Sequence, residues 1–342
     1  MTRVAPLLCL ALLACARAPV QEAAMPSLSP PIVIAHRGAS GARPEHTLAA
    51  YTLAIEQGAD VIEPDCVPTR DNVLVARHEN EISETTDVAD HPEFADRRVT
   101  KTIDGKQLTG WFTEDFTLAE LKTLRARERL PLLRPDNRRF DGQETIPTLD
   151  EVIALAKARG VGVYPETKHP TYFGSIGHPT DALVVDALRR AGWDRADAPA
   201  FIQSFEVTNL ERLHGMTKVR LIQLLDADGA PADGAQPSYA AMTSAAGLRE
   251  VARYAWGIGP AKAMVSARLV GDAHAAGLRV HPWTYRAENY FLPGDYRRGI
   301  DPRGHGDLVG EIAAALRLGI DGFFSDFPAI GVAARNDARK EE

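Results

Sequence analysis

Ile32-Val33-Ile34-Ala35-His36-Arg37-Gly38 opens the patterned part of this 342-residue chain, and its reading decides the architecture. Four apolar residues in a row suit a short strand buried on both faces. Thr47 to Gln57 then carries a helical pattern that stops at Gly58, and Val61-Ile62 resumes extended chain. Glycine tolerates the positive φ that ends a helix. Strand, helix, glycine and strand in that order form the unit of a parallel sheet crossed by helices.

The cadence recurs down the chain. Glu151 to Arg159 leads through Gly160 to Val161-Gly162-Val163-Tyr164, and Asp181 to Arg190 leads past Gly192 to Ala200-Phe201-Ile202-Gln203. Val207 to Met216 precedes Val219 to Leu224, and further strands are predicted at Ala263-Met264-Val265, Arg279 to Thr284 and Gly322 to Ser325. Thr117-x-x-Glu120, Thr148-x-x-Glu151 and Thr208-x-x-Glu211 each fit a capping box at a helix start. Eight such units in roughly 300 residues predict an α/β fold of the (β/α)8 TIM-barrel type rather than an open doubly wound sheet. Neither G-x-G-x-x-G nor G-x-x-x-x-G-K-[ST] follows the first strand, which disfavours a nucleotide fold. Residues 80–147 are too long for an ordinary connection and are read as a small insertion subdomain after strand 2, over the barrel mouth. Ala287 to Gly306 forms a second insertion after strand seven.

Composition sets the outer limits. With 45% hydrophobic residues the chain can bury a sizeable core, and a net charge of -7 with interspersed signs offers no basic run for nucleic acid. Arg3 followed by an apolar stretch from Val4 to Leu13 reads as an export leader over residues 1–15, with Leu12-Leu13-Ala14-Cys15 resembling a bacterial lipobox. Ordinary cleavage at Ala14-Cys15-Ala16 or Ala16-Arg17-Ala18 satisfies the same small-residue rule. The expectation is an exported, periplasmic protein anchored by lipid at Cys15, with residues 16–30 as a proline-containing tether and residues 31–330 as the barrel. The anchor is the one membrane contact expected, and no protein partner is predicted. Cys66, alone in the mature body, reads as a small hydrophobe on a strand.

Catalytic groups of such barrels sit at the C-terminal strand ends, and the candidates fall there. His36 and Arg37 close strand one; Glu63 and Asp65, two apart, project to one side at the end of strand two. Glu166 and Lys168 repeat that spacing on strand three, and His78 follows a further apolar run. Three converging carboxylates repel one another unless a cation joins them, and oxygen ligands suit Ca²⁺ or Mg²⁺. Singly, each residue has a plainer reading as a solvated pair or a hydrogen-bonded core histidine. Together they supply metal ligands, cationic clamps and proton carriers. Phe205, Trp283 and Phe324 lie on later strand ends, where they either meet substrate carbons or pack the core.

Several ordered motifs carry a resemblance. They are His36-Arg37-Gly38-Ala39-Ser40-Gly41, Pro44-Glu45-His46-Thr47-Leu48, Gly58-Ala59-Asp60 with Glu63 and Asp65, Tyr164-Pro165-Glu166-Thr167-Lys168, and Asp321 to Pro328. From Pro31 to Pro328 the chain resembles the glycerophosphodiester phosphodiesterase family, in its exported bacterial branch. The resemblance implies hydrolysis of small glycerophosphodiesters to sn-glycerol 3-phosphate and an alcohol. It implies metal ligation by Glu63, Asp65 and Glu166, with Ca²⁺ favoured and Mg²⁺ the alternative. It implies His36 and His78 as the catalytic acid–base pair and Arg37 and Lys168 as binders of the phosphoryl oxygens, while Phe205 and Trp283 are expected against the substrate from their strand-end positions alone. In the implied mechanism the glycerol 2-hydroxyl attacks phosphorus, and water opens the resulting cyclic phosphate. The chain departs from the family pattern at His78-Glu79, Pro64 and Ile82-Ser83-Glu84-Thr85-Thr86, where Glu84 replaces the usual arginine. Two rival readings share the barrel: a phospholipase-D-like or phosphoinositide-cleaving lyase that stops at the cyclic phosphate, and a catalytically silent surface-binding protein.

Overall fold

A computed structural model describes residue 1 and residues 30–340 of the chain. The leader read over residues 1–15, with Cys15, and nearly all of the tether read over 16–30 lie outside the described residues.

The strands close a parallel ring. The first (Ile32–His36) pairs with the eighth (Gly322–Ser325) and with Val61–Glu63. The second strand is broken at Pro64 into Val61–Glu63 and Asp65–Pro68, and the third at Tyr164-Pro165 into Gly162–Val163 and Glu166–Thr167. Proline has no N–H to donate to a ladder, so each strand steps sideways there. Each proline carbonyl stays in use: Pro64 O accepts from Glu166 N at 2.9 Å and Pro165 O from Gln203 N at 3.0 Å. Phe201–Ser204, Arg220–Leu225, Gly257–Pro260 and Arg279–Val280 follow in parallel. Bonds from Asp321 N to Val280 O and from Phe324 N to Pro282 O join seventh to eighth and complete a (β/α)8 barrel.

Strand alternation sorts the side chains into two cores. Val33, Ala35, Ile62, Ile202 and Phe323 point outward to the helices, where they join the main apolar cluster with Cys66. Ile34, Tyr164, Phe201, Ile222 and Phe324 point inward and plug the barrel floor, with Tyr164 stacked on Phe201 at 4.5 Å between ring centroids. Each such side chain contributes about 1.5–3 kcal/mol on burial. Above this floor the inward positions turn polar, and that level is the site.

Two sequence readings are corrected. Ala263-Met264-Val265 is not the sixth strand; Lys262–Met264 is a turn of 3₁₀ helix, and the strand is Gly257–Pro260. Its glycines conceal it, because a Cβ at Gly257 would lie 2.8 Å from Arg279 O and one at Gly259 2.7 Å from Leu224 Cδ2. Close strand approach there selects against the β-branched residues that signal a strand. Thr208 is not a helix cap either. The helix runs Val207–Met216, and Thr208 N and Oγ1 instead donate to Asp233 at 2.7 and 2.8 Å. Thr117 and Thr148 do form complete capping boxes with Glu120 and Glu151.

Residues 80–147 carry a two-stranded hairpin (Val99–Ile103 with Lys106–Gly110), short 3₁₀ turns and the helix Leu118–Leu121. Phe94, Trp111, Phe116, Leu121 and Leu124 form their own apolar cluster, which reaches the barrel through Val67, Val75 and Phe173. The hairpin turn at Asp104 is tied to the barrel mouth by His169 Nδ1, 2.5 Å from Asp104 Oδ2. In the second insertion Asn289 holds the loop by accepting from Arg298 N and donating to the carbonyls of Arg298 and Asp301. Among the described residues no helix is long and apolar enough to cross a membrane.

Candidate active site

Glu63, Asp65 and Glu166 are all buried at the mouth, and one carboxylate oxygen of each lies within 4.8 Å of the others. The two broken strands create this convergence, since each proline step is followed at once by a ligand residue. Burial and the neighbouring Asp65 push the Glu63 carboxyl well above its ordinary range. Burial, opposed by Lys168 and reinforced by Asp65, pushes Glu166 up to about 8. Burial would raise Asp65 too, but Arg37 and His46 hold it well below the usual carboxylate range. Arg37 and Lys168 thus compensate the three buried acids in part, and the upward shifts of Glu63 and Glu166 mark the positive charge still missing. Beside them Gln203 donates Nε2 to Glu63 Oε1 at 3.0 Å while its buried Oε1 has no partner. An all-oxygen donor set that is short of positive charge fits a hard divalent cation.

Cationic groups surround the cluster. Arg37 adopts φ +59, and its backbone N donates to Glu63 Oε2 at 2.9 Å. Its Nη1 pairs with Glu45 at 3.0 and 3.2 Å, and its Nε lies 3.1 Å from Asp65 Oδ2 as an ion pair rather than an aligned hydrogen bond. Gly38 permits this turn, at φ +84 and with Ala50 C only 2.7 Å from where a Cβ would stand. Lys168 Nζ lies 3.1 Å from Glu166 Oε1 and 3.5 Å from His78 Nε2.

The two predicted histidines line the same cleft as the cluster. His36 Nδ1 is 2.6 Å from Asp326 Oδ1. With Nδ1 donating to that carboxylate, Nε2 carries the lone pair. Burial and then Arg37 lower the His36 imidazole to about 4, so it is neutral at pH 7. His78 Nδ1 lies 3.0 Å from Glu79 Oε1, and Glu79 Oε2 also meets His169 Nε2 at 2.9 Å. Burial, Arg37 and Lys168 lower His78 to about 3. Glu79 thus gives His78 the same kind of carboxylate support that Asp326 gives His36. Phe205 and Trp283 line the same cleft, of about 500 Å³, and meet edge-to-face at 5.7 Å. Glu84 instead lines a separate groove with Arg129 and Arg286, away from His78.

Four participants were given no role from the sequence, although Glu45, His46 and Asp326 lie within the motifs that carry the resemblance. Asp326 orients His36 and is itself held by Arg134 Nη2 at 2.6 Å and Arg286 Nε at 2.9 Å. Arg134, from the first insertion, also bonds Glu288 at 2.6 Å and Ser40 O at 2.9 Å, so it fastens that insertion to the mouth. Glu45 anchors Arg37, and His46 Nε2 meets Asp65 Oδ2 at 2.9 Å. The available signal was position. Glu45-His46 directly precedes the capping Thr47, and Asp326 ends the eighth strand one residue past Ser325.

A barrel whose mouth gathers buried carboxylates, guanidinium, ammonium and two carboxylate-supported imidazoles is an enzyme of phosphoryl chemistry. Comparison with known proteins makes the class specific. Residues 36–330 match the model of the glycerophosphoryl diester phosphodiesterase family. A glycerophosphodiester phosphodiesterase of Arabidopsis thaliana is 38% identical over 323 residues, covering 87% of this chain and 84% of that protein. One from Haemophilus influenzae is 29% identical, covering 88% of each. The solved structure of an Oleispira antarctica phosphodiesterase, in complex with the product sn-glycerol-3-phosphate, superposes with a TM-score of 0.64 at 24% identity and covers 90% of this chain and 97% of that one. The chain belongs to the glycerophosphoryl diester phosphodiesterase family and is a glycerophosphodiester phosphodiesterase.

Proposed function

We propose that the enzyme hydrolyses glycerophosphodiesters to sn-glycerol 3-phosphate and an alcohol, with a divalent cation on Glu63, Asp65 and Glu166 and acid–base catalysis by His36 and His78. The observation that carries this reading is the convergence of the three buried carboxylates within 4.8 Å, in a cleft shared with two neutral, carboxylate-supported imidazoles. The bound cation, with Ca²⁺ favoured over Mg²⁺, supplies Lewis-acid stabilisation of charge on the phosphoryl oxygens. Arg37 and Lys168 add fixed positive charge to the same oxygens, at no cost of reorganisation during the reaction. His36 Nε2 and His78 exchange one proton with the attacking and leaving oxygens and reverse roles in a second step. Neutral imidazoles at pH 7 suit proton acceptance, and an approaching phosphodiester raises the imidazole that must donate. Phe205 and Trp283 present apolar faces to the carbon skeleton of the substrate.

Export and lipidation at Cys15 belong to the same proposal, resting on the Leu12-Leu13-Ala14-Cys15 sequence. Palmitate incorporation by the full chain, lost in Cys15→Ser, supports lipidation, and absence of label in the native chain overturns it. For the catalytic reading, chelation of the purified enzyme abolishes turnover of sn-glycero-3-phosphocholine, and added Ca²⁺ restores it with release of sn-glycerol 3-phosphate. Accumulation of cyclic phosphate, read by phosphorus NMR, favours the lyase instead. Turnover that survives exhaustive chelation removes the metal from the scheme.

A further inference from the structure

The cleft has a wall that the chemistry above leaves unused. Next to the metal-ligand strands, the ends of the fourth and fifth strands contribute Glu206, Asp226 and Asp228 to the same cavity, along with Phe205 and Tyr239, with Trp283 from the seventh. Apart from Glu63, which belongs to the converging carboxylates, the other lining acids are matched. Glu79 and Asp104 both grip His169, which those bonds raise against burial to about 9, and Glu166 has Lys168. Among the described residues, no lysine, arginine or histidine pairs with Glu206, Asp226 or Asp228.

Glu206 is the telling member. It is 2% exposed, it receives hydrogen bonds only from Thr171 N and Oγ1, and no cation offsets its charge. A buried carboxylate without a cation is costly. Burial, opposed by the Thr171 hydrogen bond and reinforced by Asp104 and Asp233, raises its carboxyl to about 7. Next to it three aromatic rings cluster in the cleft wall, with Phe205 edge-to-face on Trp283 at 5.7 Å and on Tyr239 at 6.1 Å. Aromatic faces flanked by carboxylates are what a weakly hydrated organic cation seeks, through attraction to the ring quadrupoles and to the acids together. An anionic head group is repelled by this wall, and a neutral glycerol gains hydrogen bonds from it but neither the charge nor the ring-quadrupole attraction.

We infer that the Glu206–Asp226–Asp228 wall with Phe205, Tyr239 and Trp283 is the subsite for the leaving alcohol, and that it selects glycerophosphodiesters with a cationic, amine-bearing head group. The inference rests on the reading of the cleft as a glycerophosphodiester site. In that arrangement the phosphate lies between Arg37, Lys168 and the metal ligands, and the cationic arm extends over strands four and five to complete the charge of Glu206.

The test is the ratio of kcat/KM for sn-glycero-3-phosphocholine over glycerophosphoglycerol, measured on the metal-loaded enzyme. The native ratio is expected at about tenfold or more, the size of one good cation–π and carboxylate contact. Glu206→Gln lowers the ratio by about tenfold, and Asp226→Asn and Asp228→Asn by about two- to threefold each, as screened surface charges do. The two aspartates are exposed, so their variants carry the test should the buried Glu206→Gln fail to fold. Equal efficiency on both substrates in the native enzyme overturns the inference while leaving the hydrolase reading intact. So does a variant that slows both substrates in step, which places the carboxylates on the shared glycerol arm. Failure to turn over either substrate defeats the hydrolase reading, and the inference falls with it.

Discussion

His281 on the barrel floor and His36 at the mouth are both inward-facing, nearly buried imidazoles, and burial lowers each to about 4. Their surroundings separate them. His281 Nδ1 is 2.9 Å from the Tyr164 hydroxyl, and the ring is wedged beside Phe201 and Trp256 at 5.8 Å from each. His36 donates to Asp326, leaves its second nitrogen toward a cleft of about 500 Å³, and shares that cleft with Arg37, Lys168 and two of the converging acids. A lowered imidazole pKa therefore marks burial in both places. What distinguishes the mouth is a carboxylate that fixes the tautomer, and open space beside charges of both signs.

Substitutions that treat the two levels alike should expose the difference. The largest effect is expected at the mouth: His36→Ala lowers kcat about 10³-fold, the value of one general acid–base group. The parallel change His281→Ala leaves kcat within a few-fold and lowers the melting temperature instead. Steady-state kinetics beside thermal melts check both, and a comparable kcat loss in the two would erase the comparison. Next comes Asp326→Asn, expected to cost about 10- to 100-fold in kcat, because an amide no longer holds the Nε2 lone-pair tautomer. Retained activity in that variant would show that His36 needs no orienting carboxylate.

The pH response sharpens the contrast further. His36 is neutral above about 4, so with His36 as the first-step base the acid limb of kcat/KM should be absent at the ordinary histidine value of 6.5 and appear only near its lowered pKa. For stability, the unfolded chain takes up protons at these two histidines near 6.5 while the folded chain resists until about 4. Folded stability therefore declines as pH falls across that window. His169 works in the opposite sense. Its folded pKa is raised to about 9 by Asp104 and Glu79 against burial, so its contribution is full below 6.5 and is lost as pH rises through about 9. Denaturant melts from pH 4 to pH 10 should show both slopes for the native chain, with the alkaline one absent in His169→Gln. The smallest expected effect is at the floor, where Tyr164→Phe removes one hydrogen bond to His281 and costs about 1 kcal/mol, with kcat unchanged within twofold.

The same comparison explains what the sequence made legible. Strand ends followed by charged residues stand out, so His36, Arg37, Glu63, Asp65, Glu166 and Lys168 could be placed together from periodicity alone, and the structure sets them at one mouth. Apolar runs gave seven of the eight strands. The sixth escaped because close packing against Arg279 and Leu224 demands Gly257 and Gly259, which erase the β-branched signature. The supporting groups were harder to find. Asp326 reaches His36 across 290 residues of sequence and Arg134 reaches Asp326 across 192, and no local spacing rule encodes contacts of that range. Glu206 was passed over for the opposite reason. A single acid after Ser204-Phe205 looks like solvated charge until the fold shows it enclosed.

Whether Glu63, Asp65 and Glu166 form one divalent-cation site is decided by titration calorimetry of Ca²⁺ and Mg²⁺ into the chelator-stripped enzyme. One ion per chain is expected, with binding lost in Glu63→Ala and Glu166→Ala variants that melt as cooperatively as the native chain. Binding undiminished in those variants, or no binding of either ion to the native enzyme, would contradict it.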